Sequence, residues 1–164
     1  MKTIWAPWRM KYIKSRKTRG CVFCRAARSI KNSSSQVLYR GRHAFVIMNI
    51  YPYSNGHLMV VPVRHRPDIE KLTGDERSEL MELTAMCTRA LKKTYGPQGF
   101  NIGVNIGRAA GAGIPGHVHI HVVPRWTGDT NFMAAACDTK IIPESLSSAY
   151  RKLKKHFPRS RENK

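Results

Sequence analysis

Three histidines near the C-terminal third of the chain alternate with branched aliphatic residues. His117, His119 and His121 are separated by Val118 and Ile120. Because side chains of a strand alternate between its two faces, this pattern predicts a strand whose imidazoles line a surface while its aliphatic residues pack the core. The outer imidazoles then lie about 13 Å apart, so one substrate atom cannot meet all three equally. The middle imidazole is best placed to act as a nucleophile, with the others supporting it.

A glycine-rich segment, residues 107–116, precedes the histidines and contains four glycines. Backbone N–H groups of such a loop can turn inward and hold phosphate oxygens. We predict this role for Gly111, Ala112 and Gly113, and the alternative is a plain flexible hairpin.

Two cysteines near the N-terminus, Cys21 and Cys24, have the Cys-x-x-Cys spacing. This spacing presents two thiolates to one metal ion, and it also serves redox chemistry. Two free thiols are the remaining alternative.

The periodicity of the rest of the chain predicts an α+β domain with an antiparallel sheet. A Thr73-x-x-Glu76 capping box begins a helix that Gly96-Pro97 ends. Short apolar runs bounded by turn residues predict further strands. The predicted strands cover residues 37–39, 44–48, 57–62, 100–106 and 117–123, and a closing helix covers residues 146–157.

The charge of the chain is strongly positive and uneven. There are 29 Lys and Arg against 10 Asp and Glu, which gives a formal net charge of +19. No acid precedes Asp68, and residues 68–82 hold six of the ten. Such a field attracts polyanions, so nucleic acid, nucleotides and ribosomes are all candidate partners. A generic solubilising surface explains the charge as well.

A chain of 164 residues fits a single domain with one hydrophobic core. No apolar run approaches the roughly 18 residues of a membrane span, and the N-terminus lacks the apolar centre of a secretory signal. We therefore expect a cytoplasmic protein without a membrane partner.

Residues 117–123 match every position of the His-φ-His-φ-His-φ-φ signature, where φ is apolar, and the chain closely resembles the histidine-triad superfamily. Residues 48–50, 55–62 and 103–105 resemble the nucleotide-binding strands of that family, so the likeness covers roughly residues 21–126. Residues 5–10 and 125–133 resemble the branch that cleaves diadenosine tetraphosphate with phosphate. We read residues 1–164 as one such domain, with a basic arm (1–35), a catalytic core (36–126) and a C-terminal extension and helix (127–164).

The resemblance implies an antiparallel sheet flanked by helices, a homodimer and a purine nucleotide substrate. It implies that His119 attacks the α-phosphate and forms a covalent nucleotidyl-histidine, which a second acceptor then cleaves. His121 would orient His119 or share a proton with it, and Asn105 would stabilise charge on the transferring phosphoryl group. The implied nucleotide contacts are the ribose at Asn49 and the base at Ile47, Ile50 and Leu58, although the last three fit a simple core role equally.

One position departs from the family pattern. Many hydrolases of the family carry Gln or Ser four residues before the first histidine of the triad, where this chain has Gly113. The vacated space favours inorganic phosphate as the second nucleophile, which would convert diadenosine tetraphosphate to ATP and ADP. Hydrolysis of dinucleoside polyphosphates or nucleoside phosphoramidates remains open.

The resemblance also completes a metal site. Some members of the family bind metal with two histidines in addition to the two cysteines, and the matching positions here are His65 and His117. A closed tetrahedral site with the ligands Cys21, Cys24, His65 and His117 would hold a structural zinc ion.

Three rival functions use the same residues differently. A zinc hydrolase would bind its metal with His117, His119 and His121, but no nearby acid offers a general base. A basic nucleotide- or nucleic-acid-binding protein would use the triad only as a pocket. A DNA-repair deadenylase of the same superfamily is a narrower possibility, and no added nucleic-acid module supports it.

Overall fold

The computed structural model describes residues 20–29, 36–129 and 142–160 of the chain. Most of the basic arm lies outside the described residues, and so does the stretch 5–10 on which the resemblance partly rests. The second such stretch, 125–133, is described only as far as residue 129.

Five strands form one antiparallel sheet with the order β1-β2-β3-β5-β4. This arrangement confirms the predicted α+β class. The strands are β1 (Val37–Arg40), β2 (Ala44–Met48), β3 (Leu58–Pro62), β4 (Gly99–Val104) and β5 (Ile120–Arg125).

The described helices are α1 (Val22–Arg28), α2 (Gly74–Tyr95) and α3 (Leu146–Lys154), with a 3₁₀ turn at Ile69–Lys71. None of these described helices is long and apolar enough to cross a membrane. The capping box at the start of α2 forms as predicted, because Thr73 N–H donates to Glu76 Oε2 at 2.8 Å and Glu76 N–H donates to Thr73 Oγ1 at 3.3 Å. Gly96 ends the helix with φ 54°, a left-handed conformation that suits glycine.

The two faces of the sheet bury different clusters of apolar residues. Strand alternation sends Leu58 and Val122 beneath α2 and α3, whereas Met59 packs with Phe23 of α1 on the opposite face. Burial of each large aliphatic side chain contributes about 1.5–3 kcal/mol, so both faces stabilise the sheet. The histidine residues and α1 therefore share the face that α2 and α3 leave open.

The histidine strand begins later than the sequence predicts. The ladder starts at Ile120, and Val118 N–H donates instead to the Arg66 carbonyl at 2.7 Å. Extending the β3–β5 register would place Val118 opposite Pro62, which has no backbone N–H to continue the ladder. The chain therefore joins the sheet only after His117 and His119, which are held by other contacts.

Candidate active site

One hydrogen bond fixes the orientation of the His119 ring. Its Nδ1 lies 2.9 Å from the carbonyl oxygen of His117, which only accepts, so Nδ1 carries the proton. The lone pair of the neutral ring is therefore on Nε2, which has no hydrogen-bond partner among the described residues. Among the described residues, only Gln36 Oε1 is a side-chain N or O atom that is both fully buried and without a hydrogen-bond partner. Because His119 Nε2 has no partner, it must keep some exposure. Burial lowers the pKa of His119 and favours the neutral form.

The first two histidines are buried, which corrects the expectation that the triad lines a surface. Only 4% of His119 is exposed, and His117 is fully buried. Phe23 of α1 covers both rings, with ring centroids 4.9 Å from His119 and 5.5 Å from His117. Sequence reasoning missed Phe23. Its position between Cys21 and Cys24 is the sequence feature that could have placed it at this site.

A hydrogen bond from His57 determines which nitrogen of His121 carries the proton. The Tyr53 backbone N–H donates to His57 Nδ1 at 3.0 Å, and Asn49 Nδ2 lies 3.3 Å from the same atom. Because His57 Nδ1 accepts, the neutral ring carries its proton on Nε2, which donates to His121 Nδ1 at 3.0 Å. His121 is left with its own proton on Nε2. The site thus pairs a nitrogen lone pair on His119 with an N–H donor on His121.

Neighbouring contacts keep His121 neutral and separate from His119. Burial, and secondarily the nearby His119, lower the pKa of His121 to about 4. The two rings meet edge to face with centroids 4.7 Å apart, but the hydrogen-bond partner of His121 is His57. The hydrogen bond that orients His119 is to the His117 carbonyl, whereas His121 meets His119 only by ring contact, and its predicted support of His119 stays a prediction. The sequence leaves His57, which follows Asn55-Gly56, either at the border of the pocket or on the surface; it is only 1% exposed, so the surface role is excluded.

The structure places the residues predicted to contact the base and the ribose in different environments. Leu58 is fully buried beneath α2, so its side chain cannot wall a base on the histidine face, and that prediction is wrong. Ile50 is 54% exposed beside Asn49, whose Oδ1 accepts from the Tyr51 N–H at 2.9 Å. Ile47 belongs to the core beneath α1.

Asn105 follows the last residue of β4. Val104 pairs with Ile120 in the β4–β5 ladder, and the register continued by one step places Asn105 opposite His119. Residues opposite each other in an antiparallel pair project to the same face. Asn105 and His119 both lie just outside the ladder, so the predicted role of Asn105 stays a prediction.

Of the three loop amides predicted to hold a phosphate, those of Gly111 and Ala112 have other roles in the structure. Gly111 N–H donates to the Arg108 carbonyl at 3.0 Å, and Ala112 N–H donates to the Gly107 carbonyl at 3.3 Å. Both amides are used inside the loop, which corrects the prediction that they point at a phosphate. Gly113, the third predicted residue, also has an interaction of its own. Gly111 has φ 81°, where the absence of a Cβ makes this tight turn possible.

Four residues from three segments meet as a candidate metal site. The ligand atoms of Cys21, Cys24, His65 and His117 all lie within 4.8 Å of one another. Cys21 Sγ lies 3.3 Å and Cys24 Sγ 3.7 Å from His117 Nδ1, and Cys24 Sγ lies 3.4 Å from His65 Nδ1. In a tetrahedral zinc site the S–N edge is about 3.5 Å, given bond lengths of roughly 2.3 and 2.1 Å. The donor set fits zinc in chemistry and spacing.

The contacts of His117 suit a metal ligand. Its Nε2–H donates to the Pro62 carbonyl at 2.9 Å, which leaves the Nδ1 lone pair directed at the thiols. Burial lowers the pKa of His117 to about 4, so the ring is neutral. Both nitrogens are therefore engaged away from His119. A single metal ion held by all three triad histidines, the basis of the zinc hydrolase alternative, is inconsistent with this geometry.

Comparison with known proteins identifies the family. A model of the HIT domain matches residues 31–128, and the chain belongs to this histidine-triad family. One relative is the AP-4-A phosphorylase of Mycobacterium tuberculosis, 35% identical over 97% of this chain and 86% of that protein. Another is the asymmetrical bis(5'-nucleosyl)-tetraphosphatase of Schizosaccharomyces pombe, 34% identical over 58% of this chain and 52% of that protein. These relatives have enzyme names, which supports the expectation of an enzyme.

A solved structure shows the same fold. The Zn-bound histidine triad family protein from Mycobacterium smegmatis superimposes with a TM-score of 0.66 and 25% sequence identity, over 84% of this chain and 92% of that one. The likeness confirms the α+β architecture derived from the strand order. It also shows that zinc occurs in a protein of this fold.

Proposed function

We propose that the protein transfers a nucleotidyl group from a dinucleoside polyphosphate to inorganic phosphate, with diadenosine tetraphosphate as substrate and ATP and ADP as products. The observation that carries the proposal is the protonation pattern of the site, in which His119 Nε2 offers a lone pair and His121 Nε2 offers an N–H hydrogen-bond donor. The likeness to the AP-4-A phosphorylase supports the substrate class.

In the first step, His119 Nε2 attacks the α-phosphorus of the substrate. The new P–N bond forms as the bond from phosphorus to the bridging oxygen breaks, and ATP leaves. We assign to the His121 Nε2–H a hydrogen bond to the departing oxygen, which leaves on the ATP anion while the proton stays on His121, and to Asn105 the stabilisation of charge on the phosphoryl oxygens. We assign the ribose to Asn49 and one wall of the base pocket to Ile50.

In the second step, an oxygen of inorganic phosphate attacks the same phosphorus. The P–N bond breaks, ADP leaves, and the lone pair returns to His119. The proton of the attacking phosphate passes to water with the product, and His121 keeps its Nε2–H throughout the cycle. The small Gly113 leaves space for phosphate beside the intermediate.

The decisive experiment follows labelled phosphate. The purified protein, supplied with diadenosine tetraphosphate and ³²P-phosphate, should place the label in ADP, and turnover should stop in phosphate-free buffer. Undiminished turnover to ATP and AMP without phosphate would refute phosphorolysis and identify a hydrolase.

The nucleophile is tested separately by trapping radiolabelled adenylate on the protein. His119→Ala should abolish the adenylated species, whereas the exposed His156→Ala should retain it. Equal labelling of both variants would exclude His119 as the nucleophile and leave a nucleotide-binding role for the triad.

We also propose that Cys21, Cys24, His65 and His117 bind one structural zinc ion. Such an ion would fix the relative positions of α1, the segment after β3 and the start of the histidine segment, and it would supply no reacting group. Metal analysis of untagged protein should find one zinc per chain.

The remaining expectations concern assembly and location. We propose one domain over residues 1–164, in a cytoplasmic homodimer. Among the described strands, β4 pairs on one side only, and Ile102 on this edge is 49% exposed. Sedimentation should give twice the chain mass of 18.6 kDa. A monomer at micromolar concentration would contradict the dimer and leave the chemistry unaffected.

A further inference from the structure

The acidic residues of the described chain are unevenly distributed over its surface. Six of the ten acids lie in residues 68–82, before and within the first half of α2. By contrast, α1, β1 and α3 contain no acid at all. Glu144, just before α3, is paired with Lys152 at 2.7 Å. The cations of these three elements therefore face few competing carboxylates.

Hydrogen bonds hold these three elements together at one edge of the sheet. Tyr150 and Lys154 of α3 donate to two carbonyl oxygens of β1, at 3.1 and 2.5 Å. At the end of β1, the Arg40 N–H donates to Ser160 Oγ at 3.1 Å, and Arg40 Nη1 donates to the Ala27 carbonyl at 2.8 Å. The last turn of α1, the edge of β1 and the end of α3 thus form one continuous surface.

Four exposed cations on this surface form what we name the basic ridge: Arg28, Arg151, Lys155 and Arg159. None of the four makes an ion pair with a described residue. Arg151 and Lys155 are one helical turn apart and lie opposite the buried Leu153. The ridge follows the edge of β1, whereas the triad lies beside β5.

We infer that the basic ridge binds the sugar–phosphate backbone of a double-stranded nucleic acid. Unpaired Arg and Lys side chains bind phosphates with release of counterions, irrespective of base sequence. Proteins that hold single strands add exposed aromatic rings on which bases stack. No described Phe, Tyr or Trp ring of β1, α3 or the segment after α3 is exposed for stacking: Tyr39 and Phe157 are buried, and the half-buried Tyr150 donates its hydroxyl to the Val37 carbonyl, so the ridge favours a paired backbone. Both duplex RNA and duplex DNA present such a paired phosphate backbone.

The test measures binding of the full chain to fluorescent 20-mers of one sequence, as duplex RNA, duplex DNA and single strand, across a salt series. The ridge variant carries Arg151→Gln, Lys155→Gln and Arg159→Gln. The control variant removes the same charge from exposed positions of α2, with Arg89→Gln, Lys92→Gln and Lys93→Gln.

For at least one duplex, the ridge variant should bind about tenfold or more weakly than the wild type near 0.1 M salt. The slope of the logarithm of its binding constant against the logarithm of the salt concentration should fall in magnitude by about two to three, close to one for each lost phosphate contact. The control variant should stay near the wild type, and both variants should retain nucleotide turnover, which keeps this test separate from the proposed reaction. The duplex with the larger loss identifies the source. Equal weakening of both variants would overturn the inference and leave only net charge, as would tighter wild-type binding of the single strand.

Discussion

Replacing Phe23 by alanine tests whether α1 holds the nucleophile in place. The ring is 2% exposed and packs on His119 and His117 from the side of α1. Truncation of a buried Phe to Ala costs about 3–5 kcal/mol of unfolding free energy. We expect the lower end of that range, because α1 has only seven residues at one edge of the fold and can settle into the cavity.

The effect on chemistry should exceed what the loss of stability explains. Without the Phe23 ring, His119 loses a packing contact that holds its ring, and a misplacement of about 1 Å can lower a rate by roughly a hundredfold. We therefore expect adenylation of His119 in a single turnover to slow by about ten- to a hundredfold under conditions where the protein remains folded.

Phe157 provides a matched control for this experiment. It is 7% exposed and packs beneath α3, on the face away from the triad. Phe157→Ala should lower the urea-unfolding free energy by a similar amount while its adenylation rate stays within about twofold of the wild type, since distant sites act independently. Equal slowing in both variants, or none in Phe23→Ala, would refute a specific role for the Phe23 ring.

Three further predictions concern the metal site, the half-buried carboxylate of Glu144 and the close contact between Gly41 and Glu79. Cys24→Ser should lose zinc and melt about 8–16 °C lower, if zinc is bound at a thousand times its Kd, and a variant that kept its metal would contradict the site. Burial alone raises the pKa of Glu144, but hydrogen bonds led by that from Lys152 together lower it to about 2, below its unfolded value near 4.3. Its stabilisation is therefore present above about pH 4.3 and lost as the pH falls towards 2, so the stability difference from Glu144→Gln should shrink over that interval and a constant difference would disprove it. A Cβ at Gly41 would lie 2.3 Å from Glu79 Oε1, whereas one at Gly74 meets nothing within 4 Å, so Gly41→Ala should cost about 1–3 kcal/mol of unfolding free energy and more than Gly74→Ala.

Glu79 shows how far a single side chain can organise the fold beyond its own helix. Its carboxylate accepts the backbone N–H groups of Arg42, His43 and Ala44, with 3.0 Å to both the first and the third. Two of these donors belong to the turn between β1 and β2, and the third is the first residue of β2. The absence of a side chain at Gly41 lets the carboxylate approach, which explains why a glycine stands at this turn.

The sequence patterns that predicted the fold are local ones. The capping box, the glycine after the helix and the apolar spacing all lie within α2, so its limits were found almost to the residue. Strand alternation likewise separated Val118 and Val122 from the histidines and placed both valines in the core. What alternation could not reveal was where the ladder stops, because that depends on Pro62 in a different strand.

The site was predicted in its composition and less well in its contacts. His119 and the four metal ligands were identified by spacing and resemblance, and the structure brings the four ligands together. Phe23 escaped notice, and His57 was left open between a pocket border and the surface, because their roles depend on neighbours from other segments. The His57–His121 hydrogen bond joins residues 64 positions apart. The loop amides were misjudged because a glycine-rich sequence does not say which N–H groups are used internally.

The contacts of His117 explain why the nucleophile and the metal site belong to one unit. Its carbonyl oxygen accepts the His119 Nδ1 proton, while its ring donates to Pro62 and faces the two thiols. A metal ion on that ring would therefore fix the backbone that orients the nucleophile, without touching the substrate. Spacing by two residues allows this division, because adjacent members of the triad have separate partners: thiols for the first, a carbonyl for the second and His57 for the third. Any change that frees the His117 ring should consequently disturb transfer at His119 even though both nitrogens of the reacting imidazole are left intact.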